Sequence, residues 1–205
     1  MIFVCLDVEG VLLPEVWIEI AQATGVDELK LTTRDEPDFS LLMQHRIQTL
    51  RSRKIAYHDL KEIVCSVEPL SGAREFLDEL RSSWPVALVS DSFYEFLGPL
   101  APKLGLPSIF CHNLTVGDDG YLSGWKARLD DQKPKVVAAM QSLGFTVLAA
   151  GDSFNDLGML EKADFGAFIN APEHIRQRFP NRESYDNLRD LKSAFQAQTI
   201  VKSLS

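Results

Sequence analysis

Two carboxylates stand two residues apart at the end of the chain's first apolar run, in the stretch FVCLDVEGVL from Phe3 to Leu12. In an extended segment a spacing of two puts Asp7 and Glu9 on the same side, where their charges repel unless a cation sits between them. More groups of the same kind follow: Ser90 after the apolar run VALV, Lys133 just ahead of Pro134, and GDSFND from Gly151, which carries Asp152 and Asp156. Singly, each has an ordinary explanation. Asp7 and Glu9 could belong to a solvated turn, Ser90 could cap a helix, and Asp152 and Asp156 could be first-turn acids that favour a helix dipole. Lys133 fits less well, because a cation at a helix N-terminus opposes that dipole, although Asp130 and Asp131 could offset it. Together these residues form a set with one chemistry in common. Clustered carboxylates suit Mg²⁺, which takes one or two protein carboxylates and completes its shell with water and phosphate oxygens. A carboxylate can also attack phosphorus and become an aspartyl phosphate, while a metal ion and a lysine neutralise the phosphoryl oxygens. A second acid two residues on could protonate the leaving alkoxide and later deprotonate the attacking water.

Such a set needs elements that bring its members to one edge. IFVCL before Asp7, VALV before Ser90, TVLAAG before Asp152 and GAFIN ending at Asn170 are short, nearly continuous apolar runs. Runs of this kind are expected in a parallel sheet covered on both faces. Helical patterns at Gly72 to Ser83, Phe93 to Leu104 and Pro134 to Leu143 alternate with them. The pattern predicts an α/β fold with a doubly wound parallel sheet, in which ligands gather outside the carboxyl ends of the strands. Pro134 suits the first position of a helix, which places Lys133 at that helix's N-terminus.

One interval is far longer than a crossover needs. Helical patterns at Glu15 to Thr24, Phe39 to Arg51 and His58 to Val67, with no convincing strand, predict a helical module over residues 14–69, inserted in a core of residues 1–13 and 70–205. HNLTVGDDGYLSGWKAR alternates polar and apolar residues around Asp118-Asp119-Gly120, a hairpin signal. The tail from Asp186 to Ser205 reads as a last helix and a frayed end.

Composition narrows the function. The 205 residues are 45% hydrophobic with a net charge of -8, and no run of Lys and Arg invites nucleic acid or an anionic membrane surface. An anionic substrate would therefore need positive charge supplied locally. No signal peptide and no apolar stretch of the ~20 residues that span a membrane is evident, so a cytoplasmic protein is expected. Cys5, Cys65 and Cys111 are scattered and odd in number, which indicates neither a disulfide framework nor a zinc site.

In order and in type, DVEGV from Asp7, VALVS ending at Ser90, Lys133 and GDSFND from Gly151 resemble the four motifs of the haloacid dehalogenase superfamily of phosphotransferases. The resemblance covers Phe3 to about Asn170 and implies that superfamily's Rossmann-like core. It also implies Asp7 as nucleophile, Glu9 as general acid/base, and Ser90 and Lys133 as phosphate ligands. Asp152 would bind Mg²⁺ with Asp7 and the backbone carbonyl of Glu9, and Asp156 would orient the lysine or metal-bound water.

The helical insertion resembles the cap of the superfamily's phosphoserine phosphatases. DFSLLMQHRIQTL is similar to the cap stretch that carries their substrate-binding arginine, here Arg46. Glu15 and Asn155 fall on further substrate-contacting positions, Glu15 on the one that meets the substrate ammonium. Asp91, beside Ser90, is counted with the substrate-binding residues. Two departures stand out: Glu9 where the family usually has aspartate, and Asp91-Ser92 where it usually has Gly-Gly. Both resemble bifunctional members that pass the phosphoryl group of phosphoserine to water or to homoserine. The expected partners are thus small molecules, with the oligomeric state left open between monomer and dimer. The rival readings are a phosphatase of a sugar or nucleotide phosphate, a phosphoaspartate receiver, and a binding module without catalysis.

Overall fold

The computed structural model describes residues 1–32, 35–36 and 38–203; the last two residues of the tail expected to fray lie outside the described residues. β1 (Ile2–Leu6) is the middle of a seven-stranded sheet of order β4-β3-β2-β1-β5-β6-β7. It pairs in parallel with β2 (Val86–Phe93) on one side and β5 (Thr146–Gly151) on the other. β6 (Phe165–Ile169) and the two-residue β7 (Ser184–Tyr185) extend the sheet beyond β5, also in parallel. β3 (Ser108–Val116) runs parallel to β2 in its first half and then pairs antiparallel with β4 (Leu122–Lys126).

The period of two along the strands divides the core. Val4, Leu6, Leu88, Leu148 and Ile169 face a large apolar cluster on one side, while Cys5, Val89, Val147 and Phe168 face a smaller one on the other. Helices cover both faces, as the apolar runs predict. α4 (Ala73–Arg81), α5 (Tyr94–Leu100) and α9 (Leu188–Ser203) contribute Phe76, Phe96 and Phe195 to the first cluster. α6 (Gln132–Ser142), α7 (Leu157–Lys162) and α8 (Glu173–Arg178) contribute Val137, Leu160 and Ile175 to the second. Among the described residues no helix is long and apolar enough to cross a membrane.

Between β1 and α4 lie three helices, α1 (Val16–Thr24), α2 (Phe39–Ser52) and α3 (Tyr57–Ser66), and a 3₁₀ turn at Asp27–Lys30. Asp38 caps α2 by accepting from the backbone N–H groups of Ser40 and Leu41. The chain leaves and rejoins the core at one place, where the Leu70 N–H donates to the Leu12 carbonyl at 2.9 Å. Trp17, Ile20, Met43 and Leu60 of these helices are buried in the same cluster as β1, so the insertion shares its apolar core with the sheet. The β3–β4 hairpin closes over α2. Arg51 meets Asp119 at 2.6 Å and the Leu122 carbonyl at 3.2 Å, and the Phe39 and Trp125 rings pack edge to face at 4.9 Å.

Two local expectations need correction. β2 does not end at Ser90 but continues to Phe93, with a register shift against β3 between Val89 and Phe93. Ser90 and Ser92, two apart and so on one face of the strand, are both buried there, with Asp91 between them less so. α6 begins at Gln132, so Pro134 is its third residue rather than its first. The N–H groups of a helix's first turn have no intrahelical partner, so a proline is tolerated at that position too.

Candidate active site

The carboxyl ends of β1, β2 and β5 and the start of α6 meet helices α1 and α2 around a cavity of about 220 Å³. Asp7, Glu9, Ser90, Asp91, Lys133 and Asp152 line it from the sheet side. Glu15, Arg46 and, at the exposed rim, Asn155 line it from the insertion and the β5 turn. Residues spread from position 7 to 155 thus share one hollow, as the strand-end reading expects. Asp156 lies beneath it, fully buried.

Lys133 is the hub. Its Nζ stands 2.8 Å from Asp156 Oδ1, 3.1 Å from Asp7 Oδ1 and 3.4 Å from Asp91 Oδ2. Burial opposes a charged ammonium, yet Asp156, Asp7 and Asp91 outweigh it and raise the lysine's pKa well above its ordinary value. Asp7 is pushed well above the usual carboxylate range, first by burial and then by Asp156, with Lys133 pulling the other way. Asp156 is spent on protein donors: besides Lys133 it accepts from Ser153, through the backbone N–H at 2.9 Å and the hydroxyl at 3.1 Å.

Two glycines make room for these acids. A Cβ on Gly151 would lie 2.1 Å from the Asp156 carboxyl carbon, and one on Gly10 would lie 2.2 Å from Asp152 Oδ2. Gly10 also has φ +77, which L side chains rarely adopt. The oxygens of Asp7, Asp152 and Asp156 come within 4.8 Å of one another, all three residues being buried. Hard oxygen donors this close, with glycines clearing the space around two of them, fit Mg²⁺. Asp7 and Asp152 suit the ligand role better than Asp156, because they line the cavity itself and Asp156 lies beneath it.

Glu9 Oε1 accepts from the Val16 backbone N–H at 3.3 Å and the Ser92 hydroxyl at 3.2 Å. Burial, then Glu15, raise its pKa to about 8 against the pull of Val16, Arg46 and Ser92. Arg46 is buried, which excludes the solvated helix charge its sequence context allows. Its guanidinium lies 4.5 Å from the centre of the Trp17 ring and donates to the Leu31 carbonyl at 2.7 Å. Its Nε finds no partner among the described residues. Burial lowers its pKa to about 10, against Glu9 and Glu15, so it stays charged at neutral pH.

Three residues at this site escaped the sequence reading as functional candidates. Gln132 donates to the Ser90 carbonyl at 2.6 Å and so ties β2 to the start of α6. His112 accepts from the Arg128 N–H at 3.1 Å through Nδ1, which leaves Nε2 turned to Asp91 at 3.7 Å. Ser92 holds Glu9, and the only sequence signal for it was the departure at Asp91-Ser92.

A carboxylate-rich hollow at the ends of parallel strands, with a buried ammonium beside it, has the donors that could hold a metal ion and an anion side by side. The chain belongs to the haloacid dehalogenase-like hydrolases, whose sequence profile it matches over residues 4–164. It is 44% identical over 191 residues to phosphoserine phosphatase ThrH of Pseudomonas aeruginosa, with 93% of each chain covered. It is 40% identical over 191 residues to a phosphoserine phosphatase of Pseudomonas syringae pv. tomato, covering 93% of this chain and 81% of that one. Its fold matches a crystal structure of phosphoserine phosphatase in apo form with a TM-score of 0.75, covering 95% and 97% of the two chains at 23% identity. Membership of the hydrolase family displaces the receiver reading.

Proposed function

We propose that this chain is a Mg²⁺-dependent phosphoserine phosphatase that also passes the phosphoryl group to homoserine, through an aspartyl phosphate on Asp7. The observation that carries the reading is the buried Lys133 ammonium 3.1 Å from Asp7 Oδ1, in the same cavity as Arg46 and Glu15. The names of the two Pseudomonas relatives support the substrate. Cavity size supports it too: about 220 Å³ falls below the ~300–1,000 Å³ of sites for drug-sized ligands, which disfavours a nucleotide.

In this reading residues 14–69 act as a cap over a core of residues 1–13 and 70–205. Arg46 takes the substrate carboxylate and Glu15 its ammonium, with Asn155 at the rim. The phosphoryl group lies against Ser90 and Lys133. Asp7 attacks phosphorus while Glu9, mostly protonated at neutral pH with its pKa near 8, delivers its proton to the departing seryl oxygen. Glu9, now a carboxylate, takes a proton from water or from the homoserine hydroxyl as that oxygen attacks phosphorus and frees Asp7. Mg²⁺ held by Asp7, Asp152 and the Glu9 carbonyl would supply positive charge to the phosphoryl oxygens and relieve the repulsion between the two aspartates. Asp156 fixes Lys133, and Asp91 borders the phosphoryl position. Free thiols at Cys5, Cys65 and Cys111 suit work in the reducing cytoplasm.

The test is product analysis from phosphoserine. Serine and phosphate should form with Mg²⁺ and not with chelator, and phosphohomoserine should appear when homoserine is added. Arg46→Ala should act mainly on KM. Faster turnover of a sugar or nucleotide phosphate than of phosphoserine would favour the rival phosphatase reading, and phosphate release that ignores homoserine would remove the transfer.

A further inference from the structure

Ser92 and Glu9 lie 83 positions apart in sequence and touch inside the cavity, where the Ser92 hydroxyl donates to Glu9 Oε1 at 3.2 Å. The serine is itself fixed. It is buried, and its backbone N–H donates to Ser90 Oγ at 3.2 Å. The Val16 N–H reaches the same glutamate oxygen from the start of α1 at 3.3 Å. We propose that Ser92 is a positioning residue that aims the Glu9 carboxyl for proton transfer, an inference that rests on Glu9 being the acid/base of the proposed reaction.

A glutamate side chain has one more rotatable bond than an aspartate, and so more orientations to lose before it can hand over a proton. Two donors converging on Oε1, one from the insertion and one from β2, remove that freedom. They also decide where the acid proton sits. An oxygen already accepting an O–H and an N–H has little capacity left to bear a proton, so the proton rides on Oε2. Oε2–H then gives its proton to the bridging oxygen as the phosphorus–oxygen bond of the phosphomonoester breaks and the bond from Asp7 to phosphorus forms. In the return step Oε2 accepts the proton of the incoming hydroxyl as its oxygen bonds to phosphorus and the acyl phosphate bond opens, which restores both acids. Ser92 touches no reacting atom in this sequence and acts through Glu9.

The test is a double-mutant cycle on single-turnover and steady-state phosphoserine hydrolysis, with thermal unfolding as a control for folding. Ser92→Ala should lower kcat about tenfold, the worth of one hydrogen bond to an acid, with KM within about twofold of the parent. Ser92→Thr, which keeps the hydroxyl, should recover most of the rate. In a Glu9→Gln background Ser92→Ala should change the rate by less than about twofold, because the group it positions can no longer carry a proton. A kcat within about twofold of the parent for Ser92→Ala would overturn the proposal. So would the full tenfold loss on top of Glu9→Gln, which would leave the role of Glu9 intact and place the action of Ser92 elsewhere. Normal turnover by Glu9→Gln alone would remove the acid/base reading and this inference with it.

Discussion

Replacing Lys133 by methionine keeps most of the side chain's volume and deletes the ammonium that touches Asp7, Asp91 and Asp156. Breaking a buried ion pair by removing one partner costs roughly 3–5 kcal/mol, because the remaining charges stay buried and uncompensated. Against a total stability of ~5–15 kcal/mol for a domain, this is a large fraction. At ~2–4 °C per kcal/mol for a domain of this length, the midpoint should fall by roughly 6–20 °C in chelator near neutral pH. The deficit should depend on pH. Asp7 already has a folded pKa raised by burial and by Asp156, and Lys133 is the main influence holding it down. Without the lysine that pKa climbs further above the unfolded one, so the extra loss is absent below the unfolded carboxylate range and grows as pH rises through the folded pKa. Urea unfolding followed by fluorescence of Trp17, Trp84 and Trp125 at several pH values measures this. Saturating Mg²⁺ should restore part of the difference by binding the folded acids. Stability within about 1 kcal/mol of the parent at pH 8 in chelator would refute the claim that the ammonium holds the cluster together.

Glu9 gives a second pH signature. Its folded pKa of about 8 stands above the ordinary 4.5, so its contribution is full below the unfolded value and is lost as pH rises through 8. In chelator, the parent protein should lose roughly 3–6 kcal/mol across that window, and Glu9→Gln should flatten the limb; an unchanged limb would deny the shift. Gly10→Ala should bring a Cβ against the Asp152 carboxylate and weaken Mg²⁺ activation by roughly 10- to 100-fold. An unchanged Mg²⁺ titration would mean that Asp152 does not hold the metal.

The legible parts of this protein are those written locally. IFVCL, VALV, TVLAAG and GAFI announce strands because both faces are buried, and Asp7 and Asp152 follow two of them directly. The helices of the insertion were readable to within a residue or so from their apolar period, and their linking Asp27–Lys30 turn was not. The first half of β3 hid inside SIFC, four residues too few to declare a period. β7, with two residues, is a strand only because β6 lies beside it. At the site, what escaped was contact across long sequence separations. Nothing around Ser92 says that Glu9 is within reach, and nothing around Gly10 says that Asp152 needs its space. The burial of Arg46 was legible in part, since Leu42, Met43 and Leu50, one turn away on α2, are apolar and buried with it, whereas its contact with Trp17 of α1 was not.

The proposed reaction requires Asp7 to accept the phosphoryl group. Rapid quenching with phosphoserine labelled in its phosphate, followed by peptide mapping, measures this directly. The label should appear on the peptide holding Asp7, be released by hydroxylamine as an acyl phosphate, and be absent from Asp7→Asn, which should also stop turnover. Label on another residue, or phosphate release by Asp7→Asn at the parent rate, would contradict the account.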